Sequence, residues 1–360
     1  MENRDSPGTG VAWSRYALAL AAGVVAGWVA TMIGLPLPWM LGPMIANTAL
    51  SLAGAPVACP VVLRPLVIPV IGLMLGSGFQ PEVFSRLGEW VVTLLTLPLF
   101  ILIAGATSFV FYRRIGGYDR VTAYFSAMPG GFNEMIMLGE EAGGDDRKIA
   151  MAHAIRILFV VSFVALFFGL FLGVRSGGGT ATWIGFVDVS LLQAAALLVC
   201  ALAGVLLGRA LRFPAPNLLG PMVLSSVAYM TEVVTTPPPT LIVVLAQISV
   251  GTIIGTRFVG TRFSDVRRDL VLGCGAALLA IFVALGIAEC VVLVTGAPIS
   301  QVFLAFSPGG LTEMSLLAVA LDQDIAYVAT NHVARIVLVI FAAPLVFRLL
   351  RRSFKQKLPR

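Results

Sequence analysis

The sequence predicts an all-α polytopic membrane protein made of two inverted repeats. Each repeat has about five transmembrane helices plus one helix broken at a Pro-Gly-Gly turn, re-entrant or discontinuous. Three observations carry that expectation: the apolarity of the chain, the recurrence of its pattern halfway along, and the placement of its lysines and arginines.

Of 360 residues 58% are hydrophobic and only 12% charged, and mean hydropathy is +0.96. A soluble domain carries roughly 25% charged residues, so this composition requires lipid as the main solvent. The net charge of +6 is explained by basic cytoplasmic loops, and no nucleic-acid-binding motif accompanies it. Cys59, Cys200, Cys274 and Cys290 form no CxxC pair and read as small buried hydrophobes. With two histidines in all, a multi-histidine metal centre is not expected, and neither metal nor cofactor is assigned.

Met1–Ser14 is polar and no cleavage site follows it, so the first apolar run reads as a retained span. Apolar runs fall at about 16–34, 37–54, 61–79, 90–112, 121–139 and 150–173, and again at 189–208, 216–233, 240–258, 270–295, 300–320 and 327–347. The expected organisation is a cytoplasmic N-terminus (1–15), a first membrane repeat (16–174), a glycine-rich linker (175–188), a second repeat (189–347) and a basic cytoplasmic tail (348–360).

Leu41-Gly42-Pro43-Met44 recurs as Leu219-Gly220-Pro221-Met222, an offset of 178. Gly72, Gly76, Phe79, Pro129, Gly130, Gly131, Glu134, His153 and Arg156 recur 179 residues later as Gly251, Gly255, Phe258, Pro308, Gly309, Gly310, Glu313, His332 and Arg335. Internal duplication of this kind marks transporter folds. Glycines four apart suit close helix approach.

Topology follows from charge. If all six runs of each half cross, the basic residues outside the bilayer core split thirteen to nine. If each Pro-Gly-Gly run enters and leaves on one face, twenty fall inside and only Arg86 and Arg175 outside. Five crossings per half is odd, so the second half is inverted and both termini are cytoplasmic. A variant in which the broken run crosses fully and another run, such as 37–54, does not is also compatible with the sequence.

The candidate solute or ion pathway is Pro129, Gly130, Gly131, Asn133, Glu134, His153 and Arg156, with Pro308, Gly309, Gly310, Thr312, Glu313, Asn331, His332 and Arg335. Pro and Gly break the helix and free backbone groups. A carboxylate at membrane depth costs roughly 2.5–3.5 kcal/mol and so pairs, titrates or faces water. Two readings stand side by side: the glutamates handle protons or cations while the arginines hold an anion, or Glu134–Arg156 and Glu313–Arg335 are structural clamps. His153 and His332, three residues before the arginines, share their helical face and read either as proton relays or as packing residues. Asn133, Thr312 and Asn331 supply neutral donors and acceptors. Gln247 and Glu289 have no polar counterpart in the first half, and Glu140-Glu141…Asp145-Asp146-Arg147-Lys148 reads as a solvated loop.

The repeated unit, with G-P-M early, G-x-x-x-G in the middle and P-G-G-x-[NT]-E-M followed by H-x-x-R, resembles the bacterial membrane AbrB family over nearly the whole chain. The family shares its name with a small DNA-binding transition-state regulator, which this chain does not resemble. The resemblance implies labels of two kinds, ammonia monooxygenase and regulator of gene expression. The first fits poorly with two histidines that are repeat mates. The second would act indirectly, since no DNA-recognition element is visible. The expected function is secondary transport of a small, anionic or metabolite-like solute across the bacterial inner membrane by alternating access, not an enzymatic reaction. The alternatives are a membrane-embedded ligand sensor that affects gene expression and, third, a membrane monooxygenase. Expected partners are the lipid bilayer, the solute and a coupling proton or cation, with no direct nucleic acid; further copies of the chain are left open.

Overall fold

A computed structural model describes residues 9–79, 87–171, 183–261 and 263–355. The first eight residues, most of the glycine-rich linker and the last five of the basic tail lie outside the described residues. Among the described residues there are helices and no strands, and the protein is an all-α polytopic membrane protein. Among the described residues seven helices are long and apolar enough to cross a bilayer: α1 (Thr9–Met32), α4 (Leu87–Arg114), α7 (Asp146–Phe171), α8 (Leu191–Ala210), α10 (Thr240–Gly255, carried on to Phe258 by a 3-10 turn), α11 (Phe263–Thr295) and α14 (Ile325–Lys355). They leave large apolar side chains bare, such as Leu95, Leu102 and Leu202, as a lipid-facing surface requires.

Three other helices are shorter than the apolar runs that contain them. α2 (Pro38–Leu52), α3 (Arg64–Gly76) and α9 (Pro216–Met230) have 15, 13 and 15 residues. At 1.5 Å per residue they rise about 20–23 Å, less than the ~30 Å hydrocarbon core. Proline sets where each begins, at the first or second helical position. Ahead of α2 and α9 the chain turns through left-handed Leu37 and Ala215.

The duplication is visible in the backbone itself. Left-handed residues occur in pairs at the repeat offset: Gly34 and Arg212, Leu37 and Ala215, Gly54 and Glu232, Gly117 and Gly296, Gly143 and Asp322. A side chain in this region costs roughly 1–2 kcal/mol. In three pairs one half has glycine where the other has an exposed Arg212, Glu232 or Asp322. Arg212→Gly, Glu232→Gly and Asp322→Gly should each therefore stabilise the protein by about 1 kcal/mol, read as a higher melting temperature in detergent. A lower one would mean that the side chain compensates for its backbone.

The chain forms two compact units, and each draws on both halves. The first (Met1–Gln80 with Val164–Val266) contains α1, α2, α3, α8, α9 and α10. Here the repeated glycines let backbones touch. A Cβ on Gly42 would lie 2.4 Å from the Ala26 carbonyl oxygen of α1, and one on Gly220 would lie 1.9 Å from that of Gly204 in α8. A Cβ on Gly72 of α3 would meet the Leu218 carbonyl of α9 at 2.6 Å, and one on Gly251 of α10 would meet the Met40 carbonyl of α2 at 2.2 Å. The glycine pair of each half thus seats on the Leu-Gly-Pro-Met helix of the other. Ser51 of α2 fastens that contact, its hydroxyl donating to the Gly255 carbonyl of α10 (3.1 Å), and buried Asn47 ties α2 to α1 by donating to the Ala19 carbonyl (3.1 Å).

The second unit (Pro81–Phe163 with Arg267–Arg360) holds the two broken helices. The first is α5 (Arg120–Ala127) and α6 (Phe132–Glu141); the second is α12 (Ile299–Phe306) and α13 (Leu311–Ala320). Asp119 caps α5, accepting from the backbone N–H of Val121 and Thr122. Just past α6, the backbone N–H of Asp145 donates to Thr122 Oγ1 at the start of α5 (2.9 Å). Past α13, Gln323 Oε1 accepts from Ser300 Oγ at the start of α12 (2.7 Å). Each broken helix therefore returns to where it began. Of the two forms open to the sequence, these are re-entrant hairpins. Arms of 8 and 10 residues reach about 12–15 Å, near half the hydrocarbon thickness. Around them, Phe100 of α4 packs on Phe306 of α12 (ring centroids 5.6 Å apart), and Thr93 of α4 bonds the buried hydroxyl of Tyr327 on α14.

Candidate functional site

The tip of each hairpin is the stretch that the sequence repeats. In the first, Met128 leaves the helical region (ψ 127°), and α6 starts from Gly131 in extended conformation (φ −65°, ψ 138°). In the second, Ser307 (ψ 132°) and Gly310 (φ −76°, ψ 152°) do the same for α12 and α13. Every residue type in P-G-G-x-[NT]-E-M then acquires a physical reason. Buried Pro129 and Pro308 have no N–H to leave unbonded in the extended link. The first glycines, Gly130 and Gly309, are covered by the fully buried Met135 and Met314, whose side-chain atoms lie 3.2 and 2.7 Å from where a Cβ would be. The second glycines, Gly131 and Gly310, cap the second arm, and the glutamate three residues on folds back over them. Glu134 Oε2 lies 2.1 Å, and Glu313 Oε2 1.8 Å, from the missing Cβ. A carboxylate over the first turn suits the positive end of the helix dipole.

The carbonyls freed at the end of the first arm are taken by the arginine–histidine pair. Arg156 Nη1 donates to the Met128 carbonyl (3.1 Å), Arg156 Nη2 to His153 Nδ1 (2.7 Å), and His153 Nε2 to the Phe125 carbonyl (2.9 Å). In the second half Arg335 Nη1 donates to Ser307 (2.6 Å), Nη2 to Gly309 (2.8 Å) and to His332 Nδ1 (3.0 Å), and His332 Nε2 to Leu304 (2.9 Å). All four side chains are buried. Neither reading of the arginines in the sequence included this one, in which they close the open end of a half-helix. Arg156 has no acid partner among the described residues, so the first glutamate and arginine do not form a clamp in this conformation.

The histidine geometry dictates a tautomer. A carbonyl only accepts, so Nε2 carries the hydrogen; a guanidinium only donates, so Nδ1 is bare. A relay through either ring would break one of these bonds. Nitrogen NMR of the two histidines should show the neutral Nε2–H form at neutral pH, and an imidazolium or Nδ1–H form would contradict the arrangement.

The two tips meet. Pro129 and Pro308 line one cavity with Arg156, Ser126 and, from α4, Ser108 and Tyr112. Its volume is about 10 Å³, room for one water and no solute. The Nε atoms of Arg156 and Arg335 and the hydroxyls of Ser126 and Ser307 are buried without a partner. Asn133 is exposed and Thr312 half-buried, and neither is tied into the tips. Asn331 is buried on α14, its amide donating to the Tyr327 carbonyl (2.9 Å) while its oxygen is unpartnered. Ser108, Ser126 and Tyr112 were not predicted. Their first-half positions carry no motif, and Tyr112 is replaced by Val291 at the repeat offset, so nothing in the repeat marks them. Among the described residues no three His, Cys, Asp or Glu side chains group as a metal site.

The fold and tips define a class: duplicated helical membrane proteins in which a re-entrant hairpin from each half meets over buried arginines. The chain belongs to the AbrB family, whose model, described as "Transition state regulatory protein AbrB", matches residues 39–351 and so covers both hairpins. It is similar to "Uncharacterized protein YhjN" of Bacillus subtilis (strain 168), at 26% identity over 94% of each chain. It is also similar to "Putative regulator AbrB" of Escherichia coli (strain K12), at 25% identity over 88% of this chain and 90% of the relative.

Proposed function

We propose that the protein is a secondary transporter of a small, anionic or metabolite-like solute, which binds where the two hairpin tips meet. One observation carries the reading: a hairpin from each half contributes a proline to one cavity with Arg156, a buried cation without an acid partner among the described residues. Re-entrant tips with freed backbone groups and half-helix N-termini are how membrane transporters recognise charged solutes. The cavity is closed here, so the solute is admitted only when one tip withdraws, as alternating access requires. In this reading the halves are inverted, the termini are cytoplasmic and the bilayer is the bacterial inner membrane. Arg156 and Arg335 position the tips and attract the anion, the freed N–H groups of Gly130, Gly131, Gly309 and Gly310 contact it, and Glu134 and Glu313 couple its passage to a proton or cation. Asn133, Thr312 and Asn331 lie where they could contact it as the tips open, and His153 and His332 hold the arginines.

The test is comparison of metabolite pools in cells with and without the gene, followed by flux of the accumulated solute into proteoliposomes. Arg156→Ala should lower that flux at least about tenfold, the value of one charge-assisted hydrogen bond; unchanged flux would remove the arginine from the pathway. The description of one relative as a regulator supports a second reading, a sensor that binds solute at the same tips without moving it. Saturable binding with no flux would favour that.

A further inference from the structure

We propose that the groove between α3 and α8, in the first unit, binds an anionic glycerophospholipid, its acyl chains in the groove and its phosphate on Arg64 and Arg209. The cavity measures about 780 Å³, within the roughly 300–1,000 Å³ of ligand sites. Ala194 and Ala201 on α8 keep it deep, and Leu66, Leu202 and Leu206 line it. Those three leucines are more than half exposed, so the groove opens sideways to lipid tails.

Charge decides the occupant. Leu73 near the end of α3 packs with Leu197 and Cys200 in the first half of α8. The groove then runs along α8 as far as Leu206 and along α3 back to Pro65. The two helices are antiparallel: α3 runs alongside α9 in the same direction, Gly72 meeting Leu218 and Gly76 meeting Ser225, whereas α8 runs against α9, Gly204 meeting Pro221 and Gly208 meeting Pro216. Arg64, which opens α3, and Arg209, which closes α8, therefore stand at one end of the groove. Both are exposed, neither has an acid partner among the described residues, and Arg209 bonds only the neutral Asn217 Oδ1 (3.2 Å). The charge count independently puts both arginines on the cytoplasmic face, where basic pockets between membrane helices take anionic headgroups. The two prolines that line it from α3 are not repeated: Pro65 and Pro69 become Val244 and Ile248 at the repeat offset, and no residue of the hairpins lines it.

The experiment uses the full chain in nanodiscs of equal phosphatidylglycerol and phosphatidylcholine, extracted and weighed by native mass spectrometry. The wild type should keep phosphatidylglycerol in preference. Arg64→Gln and Arg209→Gln should each lower that preference about fivefold, and Ala201→Trp, which fills the groove and leaves the arginines, should abolish retention of either lipid. Three results would overturn the proposal: equal retention of the two lipids by the wild type, phosphatidylglycerol undiminished in the filled groove, or a dimer mass that only Ala201→Trp splits, which would make a second copy the occupant.

Discussion

Arg335→Ala should destabilise the second hairpin by about 3 kcal/mol or more, a larger loss than Arg156→Ala should cause in the first. Removing the guanidinium leaves the Ser307 and Gly309 carbonyls and His332 Nδ1 without donors in buried surroundings, and each unsatisfied group costs about 1–3 kcal/mol. Arg156 leaves only two acceptors bare, the Met128 carbonyl and His153 Nδ1, so its cost is about two-thirds as great. Lysine does not rescue either position, because a single ammonium cannot reproduce the planar fork that spans a carbonyl and an imidazole. The measurement is the melting temperature of each variant in detergent. Equal melting of Arg335→Ala and wild type would remove the arginine from its place at the end of α12.

Gly310→Ala should fold and yet behave as Glu313→Gln does. The added Cβ falls 1.8 Å from Glu313 Oε2. A glutamate end is flexible, so the carboxylate leaves the first turn of α13 and the backbone stays. The expected cost is about 1 kcal/mol for the altered cap, while solute flux or binding falls as far as in the glutamine variant. Combining the two changes should add no further loss, the signature of residues that act as one unit. Additive losses would mean that Gly310 contributes something besides room for the carboxylate. Gly131→Ala with Glu134→Gln should repeat the pattern in the first hairpin, where the corresponding distance is 2.1 Å.

The broken helices, their pairing and the glycine contacts were legible because each rests on residue type. Pro-Gly-Gly interrupts a helix wherever it falls in apolar surroundings, and glycines four apart mark where helices touch. The form of the break was not legible. It turns on hydrogen bonds from the Asp145 backbone N–H to Thr122 and from Ser300 to Gln323, polar residues common in any loop. The role of the arginines was hidden for a related reason. Their partners are backbone carbonyls 26 to 28 residues earlier, and every residue has a carbonyl. Spacing put His153 and Arg156 on one face, but whether a charge meets a carboxylate or a helix end depends on a fold that residue types alone do not describe. The groove between α3 and α8 left no trace in the sequence beyond two prolines that the second half lacks.

In the proposed transporter the halves face opposite ways, so that their hairpins enter from opposite sides and converge. Single cysteines at Glu141, where the first hairpin ends, and at Asp322, where the second does, should be placed in a chain whose four native cysteines are replaced. Labelling intact cells with a membrane-impermeant maleimide should mark Asp322→Cys from outside and leave Glu141→Cys untouched until the membrane is opened. Labelling of both from the same side would contradict the account, because two hairpins entering together have no symmetric site to share.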